Sequence, residues 1–285
     1  MIIIVDSGAT KADWKIIDGH QSQTLHTMGL SPIFHTEHFM AAEVRSAFAG
    51  QVAPEQVQQV FYYGTGCWDA GRKAIVARAL RQVFTNAEIE VEHDLLGAAR
   101  SVCGNDPGVA CIIGTGSNSC LFDGEKIVDN VTNLGYMLGD EASGVYLGKK
   151  LIQAYFYREI PAELMMHFDN FHPGGKSTIL DKVYGQEPPN VYLASFVPFF
   201  VEYKQHIYIQ KLVYDAFADF IDRHVRKYDG HMRLPIHFIG SVAWLFQHIM
   251  RIVLEERAMQ AGNFIQKPID DLAAFHVSSS MMDVK

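Results

Sequence analysis

The 285-residue chain has no uninterrupted apolar run of the roughly 18–20 residues that a bilayer-crossing helix requires. It lacks a basic excess: 24 Lys and Arg stand against 32 Asp and Glu, a formal charge of -8, which argues against nucleic acid as a partner. Its four cysteines (Cys67, Cys103, Cys111 and Cys120) show no CxxC spacing, and its 13 histidines form no HExxH pattern. That combination excludes a recognisable structural zinc site and a zinc protease, and it reads as reduced thiols in a cytoplasm. The start, MIIIVDSGATK, has no basic leader and passes at once into a turn, so it reads as a strand and not as a signal peptide. Disorder is excluded as well, because 48% hydrophobic residues supply enough apolar surface to offset chain entropy.

What is present is a pattern that occurs twice. Ile2–Asp6 is a mostly apolar run, Ala12–Ile17 a second strand, Asp18-Gly19 a hairpin turn and Ser22–Thr27 a third strand. About a hundred residues on, Val109–Ile113, the small-residue turn Gly114-Thr115-Gly116-Ser117, Asn118–Phe122, Asp123-Gly124 and Lys126–Val131 repeat that order. The spacing is too long for a solenoid and fits a duplicated domain. Between the two meanders the pattern predicts helices near Glu37–Phe48 and Asp69–Phe84, strands at Val57–Tyr63 and Ala87–Val91, and a helix opening at Asp94. Beyond them it predicts helices over Asp140–Phe156, Phe199–Lys227 and Val242–Ala261. Strands follow at Pro235–Ile239 and Phe264–Gln266, with a last helix at Ile269–His276. His172–Lys176 and Gln186–Asn190 read as loops, and the turn cluster Asn105–Gly108 as the division between domains. Strands alternating with helices make the fold α/β.

Several segments carry chemistry. In Asp6-Ser7-Gly8-Ala9-Thr10-Lys11 a carboxylate ends a buried strand, Gly8 allows a tight turn and Thr10 adds a hydroxyl. Such a turn can cradle phosphate while the carboxylate holds magnesium or its waters, or it can be an ordinary hairpin. Gly114-Thr115-Gly116-Ser117 is its counterpart in the second meander. Gly64-Thr65-Gly66 looks similar but follows an inner strand, which favours a plain sharp turn. Asp94 is either a helix N-cap or a general base. Asp140 and Glu141 are either first-turn carboxylates favoured by the helix dipole or, for Asp140, a group that binds a polar ligand. Gly240-Ser241-Val242 follows a buried strand and opens a helix, where backbone can pass close to a flat ligand.

Taken together, Asp6–Trp14, Gly29–Thr36, His93–Ala99, Gly114–Phe122, Asn133–Gly144 and Phe238–Ala243 resemble the sugar kinase, actin and heat-shock chaperone ATPase superfamily. Within it the chain is similar to the group of N-acetylglucosamine kinases that also contains activator ATPases of acyl-CoA dehydratases and benzoyl-CoA reductases. The shared segments keep the family's order over about 240 of the 285 residues, and GTGSN followed by LGDEASG is the most specific pair.

The resemblance implies two ribonuclease H-like (actin-like ATPase) domains with an ATP cleft between them. Residues 1–106 with 268–285 would form the sugar and phosphate domain, and residues 107–267 the nucleotide domain. It implies ATP and magnesium as cofactors, with Asp6 binding the metal through water and Gly8, Thr10 and Lys11 along the phosphates. Gly114, Thr115, Gly116 and Ser117 would form the second phosphate loop, and Gly240, Ser241 and Val242 the adenosine motif. Asp94 would be the catalytic base, while Ser31, Asn133, Gly135 and Asp140 would contact the sugar. Two departures fall at the sugar. Asn133-Leu134-Gly135 stands where animal enzymes have Gly-Trp-Gly, and Ser31 replaces an Asn found even in bacterial relatives. The implied reaction is transfer of the ATP γ-phosphoryl group to the 6-hydroxyl of an amino sugar, most readily N-acetylglucosamine. The alternatives are an activator ATPase, which needs suitably arranged cysteines for an iron–sulfur cluster, and an ATP-binding regulator without an acceptor. The expected partner is a small sugar, with no nucleic acid and no membrane, and the apolar second half is compatible with a homodimer.

Overall fold

A computed structural model describes residues 1–8, 11–19, 21–185 and 189–282. The chain divides into two compact units, Met1–Asp106 with Lys267–Lys285, and Pro107–Gln266. In the first unit β1 (Ile2–Ser7) lies antiparallel to β2 (Lys11–Asp18), which turns at Gly19 into β3 (Gln21–Met28). Helix α1 (Glu37–Phe48) leads to β4 (Gln59–Gly64), α2 (Ala70–Arg81), β5 (Glu88–His93) and α3 (Asp94–Cys103). The helix starts are chemically marked: the side chains of Thr36, Asp69 and His93 accept from Phe39, Arg72 and Leu95 N–H. Asp94 is therefore the first helical residue, and His93 fills the cap that the sequence left open for Asp94. The sheet order is β3-β2-β1-β4-β5, with β4 parallel to both β1 and β5. One face buries Trp14 edge-on against Phe48, with centroids 5.3 Å apart, and Phe48 in turn meets Phe84. Burying aromatics of this size contributes on the order of 2–3 kcal/mol each.

In the second unit β6 (Gly108–Ile113), β7 (Ser117–Phe122) and β8 (Ile127–Asp129) form the meander. There follow α4 (Gly135–Leu138), α5 (Gly144–Phe156), α6 (Ala162–Phe171), α7 (Gly175–Tyr184), α8 (Pro189–Ala194), α9 (Val197–Glu202) and α10 (Ile207–Arg223). After them come β9 (Ile236–Ile239), α11 (Ser241–Leu245), α12 (Gln247–Glu255) and β10 (Ala261–Ile265). The order β10-β9-β6-β7-β8, read from the other edge, reproduces that of the first sheet. The core here is mainly helical, with Phe168, Phe196, Phe199, Phe217 and Phe220 buried together against the sheet residues Ile113 and Phe238. The final helix, α13 (Ile269–Met282), belongs to the first unit, where Ile269, Leu272 and Ala273 cover Ile4 and Tyr63.

Several expected helices are corrected. Asp140 and Glu141 open no helix: Asp140 has φ 57° and Ala142 φ 67°, and α5 begins only at Gly144 behind its cap Ser143. The expected helix Phe199–Lys227 is broken at Tyr203–His206, where His206 caps α10. The expected helix Val242–Ala261 breaks at Phe246 and ends at Glu255, so that Ala261 already belongs to β10. The expected loop His172–Lys176 runs into α7, and α6 was not foreseen. Of the expected loop at 186–190, residues 186–188 lie outside the described residues, and Pro189 and Asn190 start α8.

Candidate active site

In the first unit the chemistry gathers at the ends of β1 and β5. Asp6 is paired across the sheet with Asp13 on β2 and Tyr63 on β4. Burial, followed by the charges of Asp94 and then Asp13, pushes the Asp6 carboxyl up to about 7, while Lys11 and Lys267 pull it down. Asp6 and Asp94 are thus electrostatic neighbours in one unit. Asp94 keeps 23% of its side chain exposed, and Asp13 is buried beside His26 at 2.8 Å and Lys267 at 3.6 Å. Gly8 donates to Lys11 O at 3.0 Å, which closes the turn, and Lys11 is exposed; Thr10 lies outside the described residues. Among the described residues no set of three His, Cys, Asp or Glu side chains is arranged to hold a metal directly. Magnesium needs only one or two carboxylates and keeps its waters, so the oxygen donors around Asp6 fit a water-mediated ion.

The Ser31 loop is built by residues that pattern reading passed over. Ser7 Oγ donates to Leu30 O at 3.2 Å and accepts from Leu30 N at 3.0 Å, and Tyr62 Oη donates to the same carbonyl at 2.7 Å. Ser31 itself is fully buried, and its hydroxyl accepts from Ile33 N–H. Gly66 lies against this loop with φ 85°, where a Cβ would sit 2.8 Å from Ser31 Oγ. The Gly64-Thr65-Gly66 turn therefore supports the loop that the resemblance assigned to sugar. Its legible signal was the pair of glycines after an inner strand.

In the second unit the turn Gly114–Ser117 is tied down from the segment Asp140–Val145. Gly144 N–H donates to Gly114 O at 2.8 Å and Val145 N–H to Thr115 O at 3.1 Å. Asp140 Oδ1 accepts from Ser117 N–H at 3.1 Å and from Asn133 Nδ2 at 2.8 Å. Asn133 also donates to Ser117 O and accepts from Gly135 N–H. The left-handed backbone at Asp140 is what turns its carboxylate onto the loop, and its bond to Ser117 ties the segments GTGSN and LGDEASG together. Burial pushes the Asp140 carboxyl up, first among its causes, while the Ser117 N–H bond pulls it down. Asn133, Gly135 and Asp140 are brought together here, but around the loop, while Ser31 lies in the other unit.

Gly240 closes the same corner. Its φ is 117°, and a Cβ there would lie 2.4 Å from Ile113 O, so the β9–α11 turn rests directly on the start of the Gly114 turn. Ser241 is exposed at the head of α11, whereas the Val242 side chain is fully buried in the core, leaving only its backbone for a ligand. A polyphosphate fits this corner on two observations. Ser117 Oγ is buried with no partner, and among the described residues Thr115 and Gly116 N–H donate to no group. All four cysteines are buried, and Cys111 and Cys120 lie on the paired strands β6 and β7.

No family model matches the chain, and no curated protein sequence matches it. Solved structures do. A Porphyromonas gingivalis protein provisionally named an N-acetylglucosamine kinase shares 37% identity, covering 98% of this chain and all of that one with a TM-score of 0.92. A Chromobacterium violaceum protein of the same provisional name shares 17% identity over 96% of this chain and 98% of its own, TM-score 0.71. A ROK-family glucokinase from Streptomyces griseus, solved with glucose and AMPPNP, shares 16% identity, covers 99% of this chain and 98% of its own, and has a TM-score of 0.55. The latter two share the fold, two α/β units each built on a mixed five-stranded sheet. On the 37% identity that spans nearly the whole chain, the protein belongs to the N-acetylglucosamine kinase-like family of the sugar kinase, actin and heat-shock chaperone ATPase superfamily.

Proposed function

We propose that the protein is an ATP-dependent sugar kinase that transfers the γ-phosphoryl group to the 6-hydroxyl of an amino sugar, with N-acetylglucosamine the first candidate. The observation that carries this reading is the Asp94 carboxylate at the head of α3, partly exposed and within electrostatic reach of Asp6. A nucleotide switch without an acceptor has no use for a second, accessible carboxylate there. The P. gingivalis relative, by its name, supports the same substrate class.

Phosphoryl transfer asks a protein mainly for positioning and charge stabilisation. Magnesium, carried through water by Asp6, would offset charge on the β- and γ-oxygens. Thr115 and Gly116 offer N–H groups to the phosphate, and Ser117 offers its unpartnered hydroxyl. Gly240 and Ser241 present backbone to the adenosine. Asp94 accepts the proton of the attacking hydroxyl as its oxygen bonds to the γ-phosphorus, while the bond from that phosphorus to the β–γ bridging oxygen breaks and ADP leaves with the electron pair. In this reading Asp140 and Asn133 hold the phosphate loop as well as facing the sugar. The activator-ATPase reading draws no support from the cysteines, since a cluster shared at an interface needs accessible thiols and all four are buried.

A coupled ADP-release screen over N-acetylglucosamine, glucosamine and N-acetylmuramic acid, with ATP and magnesium, tests the proposal. The expected outcome is ADP release that depends on N-acetylglucosamine, with a 6-phosphate product by 31P NMR. ADP release indifferent to every sugar would overturn it.

A further inference from the structure

The four-residue turn Asp140–Ser143 is closed by Ser143 N–H, which donates to Asp140 O at 3.1 Å. Two of its residues, Asp140 with φ 57° and Ala142 with φ 67°, hold the left-handed backbone that residues with a side chain rarely adopt. Asp can offset that conformation with local hydrogen bonds, but Ala cannot, so the surroundings must impose it. Between the two lies Glu141, a buried carboxylate that the proposed phosphoryl transfer leaves unused.

Glu141 reaches the C-terminal end of α10. Its Oε2 lies 3.1 Å from Nε2 of His224, the residue that caps that end, in a hydrogen bond buried on both sides. A carboxylate only accepts, so Nε2 carries the proton. The ring is fixed for this contact: it stacks on Phe220, with centroids 5.0 Å apart, and its Nδ1 is buried without a partner. Arg223, the last residue of α10, adds only an exposed guanidinium 3.6 Å from Oε1. Lys149, also within electrostatic reach of Glu141, donates its ammonium to Tyr136 O. A carboxylate taken out of water needs such a partner, and losing it would draw Glu141 toward solvent and the turn with it.

This turn is the one that ties down Gly114–Ser117. On one side of Glu141, Asp140 Oδ1 accepts from Ser117 N–H; on the other, Gly144 and Val145 N–H donate to Gly114 O and Thr115 O. We propose that Glu141 is a positioning residue for this corner. Held by His224, it keeps the Asp140–Ser143 turn left-handed, and so keeps the Gly114 turn in the form whose Thr115 and Gly116 N–H groups, among the described residues, donate to no group. This rests on the reading of the corner as the phosphate site. Glu141 touches no ligand in this role and acts only through the backbone on either side of it.

The test cuts the contact from either end in the full chain, with Glu141→Ala and His224→Ala. Glu141→Gln restores it, since its amide oxygen can still accept from Nε2. Amide hydrogen exchange reads Ser117, Gly144 and Val145 N–H against the amides of β6 and β9. A buried hydrogen bond to a charged group, removed from a local opening equilibrium, is worth on the order of 10- to 100-fold. Exchange at the three amides is therefore expected to quicken by about that factor in both alanine variants, with the strands unchanged and Glu141→Gln near wild type. The Kd for magnesium-ATP, by isothermal titration, should rise about tenfold in the alanine variants only, because apparent affinity falls with the fraction in the competent form. Wild-type protection at the three amides in both alanine variants would overturn the proposal. So would loss of protection in turn and strands together, or failure of both variants to fold, because the contact would then support the whole unit and not the turn. Wild-type protein that takes up no nucleotide would sink the reading of the corner itself. Nucleotide bound as tightly by the alanine variants as by wild type would sink only the role of Glu141.

Discussion

The two units place a turn at the same point of the same strand order, between the first two strands of a meander, and equip it differently. Around the end of β1 the groups are side-chain charges: three carboxylates, Asp6, Asp13 and Asp94, balanced by Lys11 and Lys267. Around the end of β6 they are backbone groups. The carbonyls of Gly114 and Thr115 are taken by the head of α5, Ser117 N–H is taken by Asp140, and two N–H groups and one hydroxyl are left over. The duplicated topology thus carries two kinds of chemistry, a carboxylate cluster suited to a cation and a proton in one unit, a backbone cradle suited to an anion in the other. In an acidic chain that division makes sense, because anion binding that rests on N–H groups needs few basic residues.

The largest effect should come from breaking the carboxylate side. Asp94→Asn is nearly isosteric and keeps the head of α3 intact, but it removes the carboxylate proposed as proton acceptor. Turnover is expected to fall by roughly 100- to 10,000-fold, the usual worth of an acid–base group, with the ATP KM near wild type. Steady-state kinetics check both numbers together. A fall in ATP affinity of the same size would mean that the charge cluster also holds nucleotide, and the division between the units would blur.

The backbone side is sharpened by two glycines that differ in their surroundings. At Gly240 a Cβ would meet Ile113 O at 2.4 Å on a residue with φ 117°, whereas at Gly114 nothing lies within 4 Å of one. Gly240→Ala must move the β9–α11 turn off the Gly114 turn, and a cost of about 2–4 kcal/mol is expected from strain and overpacking together. Gly114→Ala should cost under about 0.5 kcal/mol, as substitutions without a packing consequence do. If phosphate approaches the loop there, however, the ATP KM should rise although the fold is untouched. Thermal melts and ATP titrations of the pair separate what the fold needs from what the ligand needs.

Much of this comparison was legible before the structure. The two Asp-Gly turns anchored both meanders, since a two-residue hairpin with φ > 0 declares itself locally, and the strands either side matched within a residue or two in most cases. The helices expected near Glu37–Phe48 and Asp69–Phe84 were also found close to those bounds, and the structure adds Thr36 and Asp69 as their caps. What could not be read were features set by distant partners. Asp140 sits in a helix-like sequence but adopts φ 57° while its carboxylate reaches Ser117, 23 residues away. Ser7 looks like one more small residue in a turn, yet it and Tyr62 fasten Leu30. The helices α6 to α8 escaped because the aromatic positions between Phe156 and Phe200 face one another in a shared core, and an apolar stripe several residues wide masks the helical period.

The last contrast concerns α13, which packs on the first unit and brings it a buried titratable group. His276 stacks on Phe61 with centroids 3.8 Å apart, and its Nε2 lies 2.9 Å from Tyr63 Oη, which in turn accepts from Arg100 at 2.6 Å. Burial, and then the Arg100 charge, lowers the His276 pKa from 6.5 to about 4. The folded state therefore refuses a proton that the unfolded state takes up, so stability is whole above pH 6.5 and is lost as pH falls from there toward 4. The loss is at most about 3 kcal/mol at one pKa unit per 1.36 kcal/mol. Asp6 works in the opposite direction, since its raised value of about 7 favours the folded state as acid is added, and the wild-type curve sums these two with the other shifted carboxyl groups. The difference between wild type and His276→Gln isolates the histidine. Measured by chemical denaturation at pH 7.5, 5.5 and 4.5, with the fluorescence of buried Trp14 as the report on the first unit, the stability gap between them should shift toward the variant as pH falls. A gap independent of pH would mean that α13 leaves the first unit before His276 titrates, and that the final helix is not part of that unit's cooperative fold.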